Sequence, residues 1–401
     1  MIVHRAAWLL PISSRPIRDG WVALERGRIV ALGGGPCPEH LRAFERATRS
    51  EPRVVLPGLV NAHVHLELSW MRGAVPPAAT MPAWASQLML LRRTQEKEPT
   101  APIRSAIDQA RSFGTTLVGE VTNTLASYGG LLESELYAAV FFEQLGFRTE
   151  EPRARAADAD RKLRALPVSD RLKPYTAAHA PYSVSPEFLR AIGELDSQII
   201  AIHLGESKEE VQFLRDGTGV WREILESLGV WNDRWVPPGC GPIEYLARVG
   251  LLDARLLAVH GVQLTDAELS TLAEAGATIV TCPRSNLWTG AGAAPLARFY
   301  RSGVRVAVGT DSLASVDDLN VFSELAAIRS AAPEVNASRL LESATRSGAQ
   351  ALGFGAELGT IQPGKRAGLI SVGLSSSVQD VEEYLVGGID AANIEWLDAE
   401  E

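Results

Sequence analysis

With 401 residues, 46% of them apolar and 22% charged, the chain suits two or three ordinary domains or one large α/β barrel with an appended piece. This composition excludes wholesale disorder, a collagen-like repeat and a disulfide-stapled miniature. The 39 Lys and Arg against 48 Asp and Glu leave a net charge of −9, which argues against a broad phosphate-binding surface.

Cys37, Cys240 and Cys282 form no pairing motif, so a reducing compartment, the cytoplasm, is expected. The apolar stretch 6–12 is short, contains Pro11 and lacks a small-residue cleavage site, so no secretory signal is expected. No apolar run reaches the ~18 residues of a membrane-spanning helix.

The segments 21–25 and 29–33, either side of Arg26-Gly27-Arg28, predict a β-hairpin. After Pro57-Gly58 short apolar runs alternate with helix-periodic segments, the mark of repeated βα units. Strands are predicted over 59–65, 115–121, 136–143, 173–179, 198–204, 255–262, 276–282 and 304–310. Helices are predicted over 102–113, 186–195, 266–275 and 320–331, and the charge-mixed stretch 150–173 reads as a solvated helix face. Eight such units predict a (β/α)8 barrel. From Glu357 onward, Leu358-Gly359-Thr360-Ile361, Pro363-Gly364-Lys365 and Leu369-Ile370-Ser371-Val372 return to short strands and turns, expected to pair with the hairpin. The expected organisation is a barrel over 58–354 and a small β-sandwich from 1–57 and 355–401, since pieces of ~50 residues bury too little surface alone.

Ionisable residues sit at the C-terminal ends of the apolar runs: His63, His65, Glu120, Glu143, His179, His203, Glu206, His260 and Asp311. A barrel gathers those ends at one mouth, which would bring five of the seven histidines together. In His63-Val64-His65 the two imidazoles share one face of a strand and can meet one cation. With His203 and Asp311 they make an N3O set suited to one divalent ion, zinc first, with iron or manganese as competitors. Lys173 opens its strand instead of closing it, so it is not placed to bridge two ions. Glu206, three residues past His203, has the placement of a general acid/base. His260 is either a fourth ligand or a partner of the bound water, the second being preferred because a catalytic metal keeps an open position.

These residues, with Pro57-Gly58-Leu59-Val60-Asn61-Ala62 before His63, Phe113-Gly114-Thr115-Thr116, His179-Ala180-Pro181-Tyr182-Ser183, Thr281-Cys282-Pro283-Arg284-Ser285-Asn286 and Gly309-Thr310-Asp311-Ser312, resemble the amidohydrolase superfamily. Within it they resemble the branch of cytosine, guanine and S-adenosylhomocysteine deaminases and triazine chlorohydrolases. The resemblance runs from the first hairpin to Leu369-Ile370. It implies a (β/α)8 barrel with a β-sandwich and one metal held by His63, His65, His203 and Asp311. It further implies that Glu206 and Asp311 shuttle protons, that His260 orients the water, and that the substrate is a small heterocyclic amine. Two features depart from the pattern: Ala367-Gly368-Leu369, where the family reads Ala-Asp-Leu, and the stretch 221–241 with Trp231 and Trp235.

The reaction that follows is hydroxide attack on an aminated ring carbon with release of ammonia. Substrate contacts are expected from His179, Glu120, Arg148, Arg284 and Asn286. Within the branch the chain resembles enzymes that deaminate adenosine-like purine nucleosides, particularly 6-aminodeoxyfutalosine deaminases of the futalosine route to menaquinone, whose substrate carries a benzoate that Arg148 or Arg284 would meet. The alternatives are another heterocycle deaminase or chlorohydrolase acting on guanine, cytosine or a triazine, a cyclic-amide hydrolase, and a non-catalytic metal-stabilised interaction protein. Nucleic-acid deaminases pair H-x-E with P-C-x-x-C, which this chain lacks. No nucleic-acid or membrane partner is expected, and a homodimer stays open.

Overall fold

In the computed structural model, residues 1–46, 51–94, 99–197, 199–375 and 377–397 are described. The strands are β1 (Ile2–Leu9), β2 (Ile17–Glu25), β3 (Arg28–Gly34), β4 (Arg53–Pro57), β5 (Leu59–Val64), β6 (Thr115–Thr122), β7 (Tyr137–Gln144), β8 (Leu172–Ala178), β9 (Ile200–Leu204), β10 (Leu256–His260), β11 (Thr278–Thr281), β12 (Arg305–Val308), β13 (Leu369–Gly373) and β14 (Ile394–Trp396).

Strands β5 to β12 are the eight predicted from the apolar runs; position 198, the first of one predicted strand, lies outside the described residues. Every residue of β5, β6, β9, β10 and β11 is buried, as expected of parallel strands covered on both faces. They pair in two parallel runs, β5-β6-β7-β8 and β12-β11-β10-β9, and make the (β/α)8 barrel. At the two seams single backbone bonds join the C-terminal ends: His203 N–H donates to His179 O (2.9 Å) and Asp311 N–H to His63 O (3.0 Å). The four predicted helices are present as Thr100–Ser112, Pro186–Gly193, Asp266–Glu274 and Val321–Ala331. Their starts are set locally. Ser185 and Asn320 cap two of them, and Thr265 with Glu268 forms a capping box on a third. The charge-mixed stretch forms the helix Pro152–Arg164, with exposed pairs Asp158–Lys162 and Asp160–Arg164 along it.

The chain ends meet in one six-stranded sheet of order β14-β13-β4-β1-β2-β3. The predicted hairpin is β2–β3, and β13 runs antiparallel to β4, from Leu369 opposite Pro57 to Gly373 opposite Arg53. One expectation is corrected: residues 369–372 pair with β4 and not with the hairpin. The chain turns over residues 358–361, Gly359 taking a left-handed φ of +84°. Residues 364–367 instead bind the hairpin turn, with Ile29 N–H donating to Lys365 O and Ala367 N–H to Gly27 O. Conversely β1 forms a strand that was not predicted. Its central residues are all half-buried, so its sequence lacks the alternation that marks a one-faced strand.

Among the described residues no helix is long and apolar enough to cross a membrane.

Candidate active site

The C-terminal ends of the barrel strands carry the predicted residues to one place. His63 and His65, at the end of β5, set their rings edge to face with centroids 4.9 Å apart. His203 from β9 lies 5.0 Å from His63 and 5.5 Å from His65, ring centre to ring centre. Asp311, just past β12, brings Oδ1 to 3.8 Å from His63 Nε2 and 3.7 Å from His65 Nε2. This approach needs Gly309, where a Cβ would sit 2.7 Å from the His63 carbonyl oxygen. His260 closes the other side, with Nε2 3.0 Å from His203 Nδ1 and 3.8 Å from Glu206 Oε1. His260 and Asp311 hold left-handed backbone, φ +75° and +64°, a conformation that persists in a non-glycine residue only where its surroundings enforce it.

Asp311, His260 and the Glu206 loop are braced by neighbours. Ser285 Oγ donates to Asp311 Oδ2 at 2.6 Å, and Asn286 Oδ1 lies 2.8 Å from His260 Nδ1. Glu210 is fully buried, and burial pushes its carboxyl up to about 8. It accepts the backbone N–H groups of Gly205 and Glu206 at 2.8 and 3.0 Å, fixing the loop that carries Glu206.

Burial, aided by the neighbouring imidazoles, drives His63 well below its ordinary pKa; burial also lowers His65, and takes His179 to about 4. These rings are neutral at pH 7, the form that binds metal. His203 differs. Burial lowers it, but the Glu143 carboxylate, 3.3 Å from its Nε2, outweighs that and raises it to about 9. Burial likewise pushes Glu143 up, yet His179 and His203 hold it well below the carboxylate range.

Three groups could hold a cation, each with ligand atoms within 4.8 Å of one another: His63, His65 and Asp311; His63, His203 and His260; Glu143, His179 and His203. His63 Nε2 and Glu206 Oε2 are buried and make no hydrogen bond, whereas His203 Nε2 faces Glu143 Oε1 at 3.3 Å. Buried polar atoms are normally paired. Nitrogen lone pairs converging beside a carboxylate fit a divalent ion, the partner they lack.

The cluster floors a cavity of about 460 Å³. Met81, Trp84 and Leu88 of the helix Met81–Arg92 form one wall, and Trp221, Ile224 and Leu225 of the helix Val220–Ser227 form another. Of the expected substrate contacts, His179 and Arg148 line this cavity. The others are engaged elsewhere. Glu120 is buried behind the floor, accepting the Leu66 N–H at 2.9 Å. Arg284 binds Glu324 Oε1 at 2.6 Å and Asp318 Oδ1 at 2.9 Å, and Asn286 serves His260. Sequence reasoning passed over Ser285 and Glu210 as site residues, together with Glu67, Arg92 and Asn123, which are linked to Glu143. The polar run Thr122-Asn123-Thr124 at the end of an apolar strand was the one available signal.

The profile of the amidohydrolase family matches residues 54–395. A 5-methylthioadenosine/S-adenosylhomocysteine deaminase of Moorella thermoacetica is 28% identical, over 99% of this chain and 92% of its own length. The structure of an adenosine deaminase from Xanthomonas campestris with bound zinc matches with a TM-score of 0.81 and 27% identity, covering 98% of this chain and 90% of that one. Helicobacter pylori aminofutalosine deaminase in complex with methylthio-coformycin matches with a TM-score of 0.83 and 25% identity, covering 96% and 95%.

Proposed function

The chain belongs to the amidohydrolase family, and on that footing we propose that it hydrolyses the amino group from an adenosine-like purine nucleoside, with 6-aminodeoxyfutalosine as the preferred substrate. The observation that carries the reading is the polar floor of the cavity: Glu206, with one buried unpartnered oxygen, stands beside His260 and a cluster of neutral imidazoles. The relatives named for deamination of adenosine compounds support the same chemistry.

His63, His65, His203 and Asp311 would hold one divalent ion, zinc being favoured by the donor set and by the zinc-bound neighbour. When bound, such an ion lowers the pKa of its water towards ~7 and supplies a nucleophile at neutral pH. Asp311 takes the proton of the attacking water, its other oxygen being held by Ser285. Glu206 protonates the ring nitrogen next to the aminated carbon. His260, steadied by Asn286, stabilises the charge that develops on the added oxygen. Asp311 then passes its proton to the exocyclic nitrogen, ammonia leaves, and the added hydroxyl returns a proton to Glu206. Water and amine are thus exchanged for a ring carbonyl and ammonia.

The substrate assignment rests on the walls. They offer apolar surface to the remote end of a nucleoside, and Arg148 lines the cavity with no ion pair among the described residues, free to meet a carboxylate. Ammonia release from zinc-loaded protein tests this. 6-Aminodeoxyfutalosine is expected to react fastest, followed by adenosine and 5′-methylthioadenosine. Activity confined to guanine, cytosine or triazines would falsify the reading.

A further inference from the structure

Glu67 lies two residues past His65, in the turn Leu66–Met71, and is fully buried. An ionised carboxylate in such a place is stable only when its lone pairs are met. Here they are: Arg92 Nη2 donates to Oε1 at 2.8 Å and the Asn123 N–H at 2.9 Å, while the hydroxyls of Thr122 and Thr124 donate to Oε2 at 2.6 and 2.8 Å. The arrangement does more than neutralise a charge. Arg92 Nη1 donates to Asn123 Oδ1 at 2.8 Å, which turns the amide so that Nδ2 donates to Glu143 Oε2 at 2.8 Å. With that oxygen pinned, the other, Oε1, faces His203 Nε2 at 3.3 Å. A chain of polar contacts therefore runs from the end of the cavity-wall helix Met81–Arg92 through the end of β6 and the end of β7 to an imidazole on β9.

We propose that Glu143 is a positioning residue that sets the His203 imidazole for the divalent ion, with Asn123, Arg92 and Glu67 holding Glu143 in turn. A fixed carboxylate at Nε2, which leaves Nδ1 for the ion, limits the ring's rotation and adds negative charge beside the other imidazoles. Both raise affinity for a cation. Histidine ligands are as a rule held by such a partner, whose loss lowers metal affinity on the order of 10–100-fold. Asp311 has such a partner in Ser285, and Glu143 is the corresponding partner of His203. The inference rests on the reading of His203 as a ligand.

Zinc affinity measured by competition with a chromophoric chelator tests it without recourse to activity. Glu143→Gln is expected to weaken zinc binding about 10–100-fold. Glu143→Asp, which keeps the charge, should retain more affinity, and Asn123→Ala should lose less than Glu143→Gln but in the same direction. Thermal unfolding of the zinc-free proteins identifies a variant that does not fold, in which case Asn123→Ala alone decides. Wild-type zinc affinity in both Glu143→Gln and Asn123→Ala, alongside its loss in His203→Ala, would overturn the role of Glu143. Wild-type affinity in His203→Ala itself would overturn the ligand assignment, a distinct failure.

Discussion

At the base of the cavity functional side chains are held by second polar groups, Asp311 by Ser285, His260 by Asn286, and the Glu206 loop by Glu210. In the walls the contacts are apolar, contributed by two helices, and the rim leaves Leu228 and Val230 38% and 36% exposed. The contrast assigns reaction and substrate choice to separate parts of the fold. Strand ends fix the reacting groups through short directional bonds, whereas the helices over the mouth supply mainly apolar surface, Arg92 at the end of one of them being the exception that reaches the Glu143 network. Substitutions at the base should therefore act on kcat, and substitutions in the walls on KM.

The largest separation is expected at Glu206. Glu206→Gln keeps the side chain's shape but has no proton to give, so kcat should fall about 10²–10⁴-fold, the usual worth of a general acid/base, with zinc content unchanged. His63→Ala should lose zinc and rate together. Metal analysis alongside initial rates distinguishes the two, and a zinc-loaded Glu206→Gln of full activity would remove Glu206 from the chemistry. For the walls the sharpest probe is Arg148→Ala. Loss of a charged hydrogen bond worth ~1.5–3 kcal/mol should raise KM for a carboxylate-bearing nucleoside roughly 10–100-fold and leave adenosine untouched. Equal effects on both substrates would detach Arg148 from carboxylate recognition. Ser285→Ala returns to the base with a smaller effect. Without its hydrogen bond, Asp311 is less well oriented, and kcat should fall about fivefold for a bond worth ~1 kcal/mol, at constant KM.

The same division decides what could be read from sequence. The barrel was legible because parallel strands buried on both faces are continuous apolar runs, and the base because its histidines and acids terminate those runs. Glu120 and Arg284 show the limit. Residue type and position suggested substrate contacts, but the folded chain places Leu66 against one and Glu324 and Asp318 around the other. Bracing was hidden for a related reason: Glu67 and Asn123 are 56 residues apart, and their pairing depends on which strands become neighbours. In the terminal sheet β1 was missed because its intermediate burial leaves no periodic pattern to detect.

Ile224→Val is the mildest way to break the contrast between base and walls. Ile224 lines the cavity from the helix Val220–Ser227 and is only half-buried, so removal of one methylene should cost folding little, on the order of 0.5–1.5 kcal/mol. If the remote end of the substrate packs there, the lost contact is worth up to ~0.8 kcal/mol, about a fourfold rise in KM. The rise should be larger for 6-aminodeoxyfutalosine or 5′-methylthioadenosine than for adenosine, whose 5′ end is a hydroxyl, and kcat should not move for any of them. A fall in kcat at constant KM would mean that this helix acts on the reacting groups, and the walls would then share the function assigned to the base.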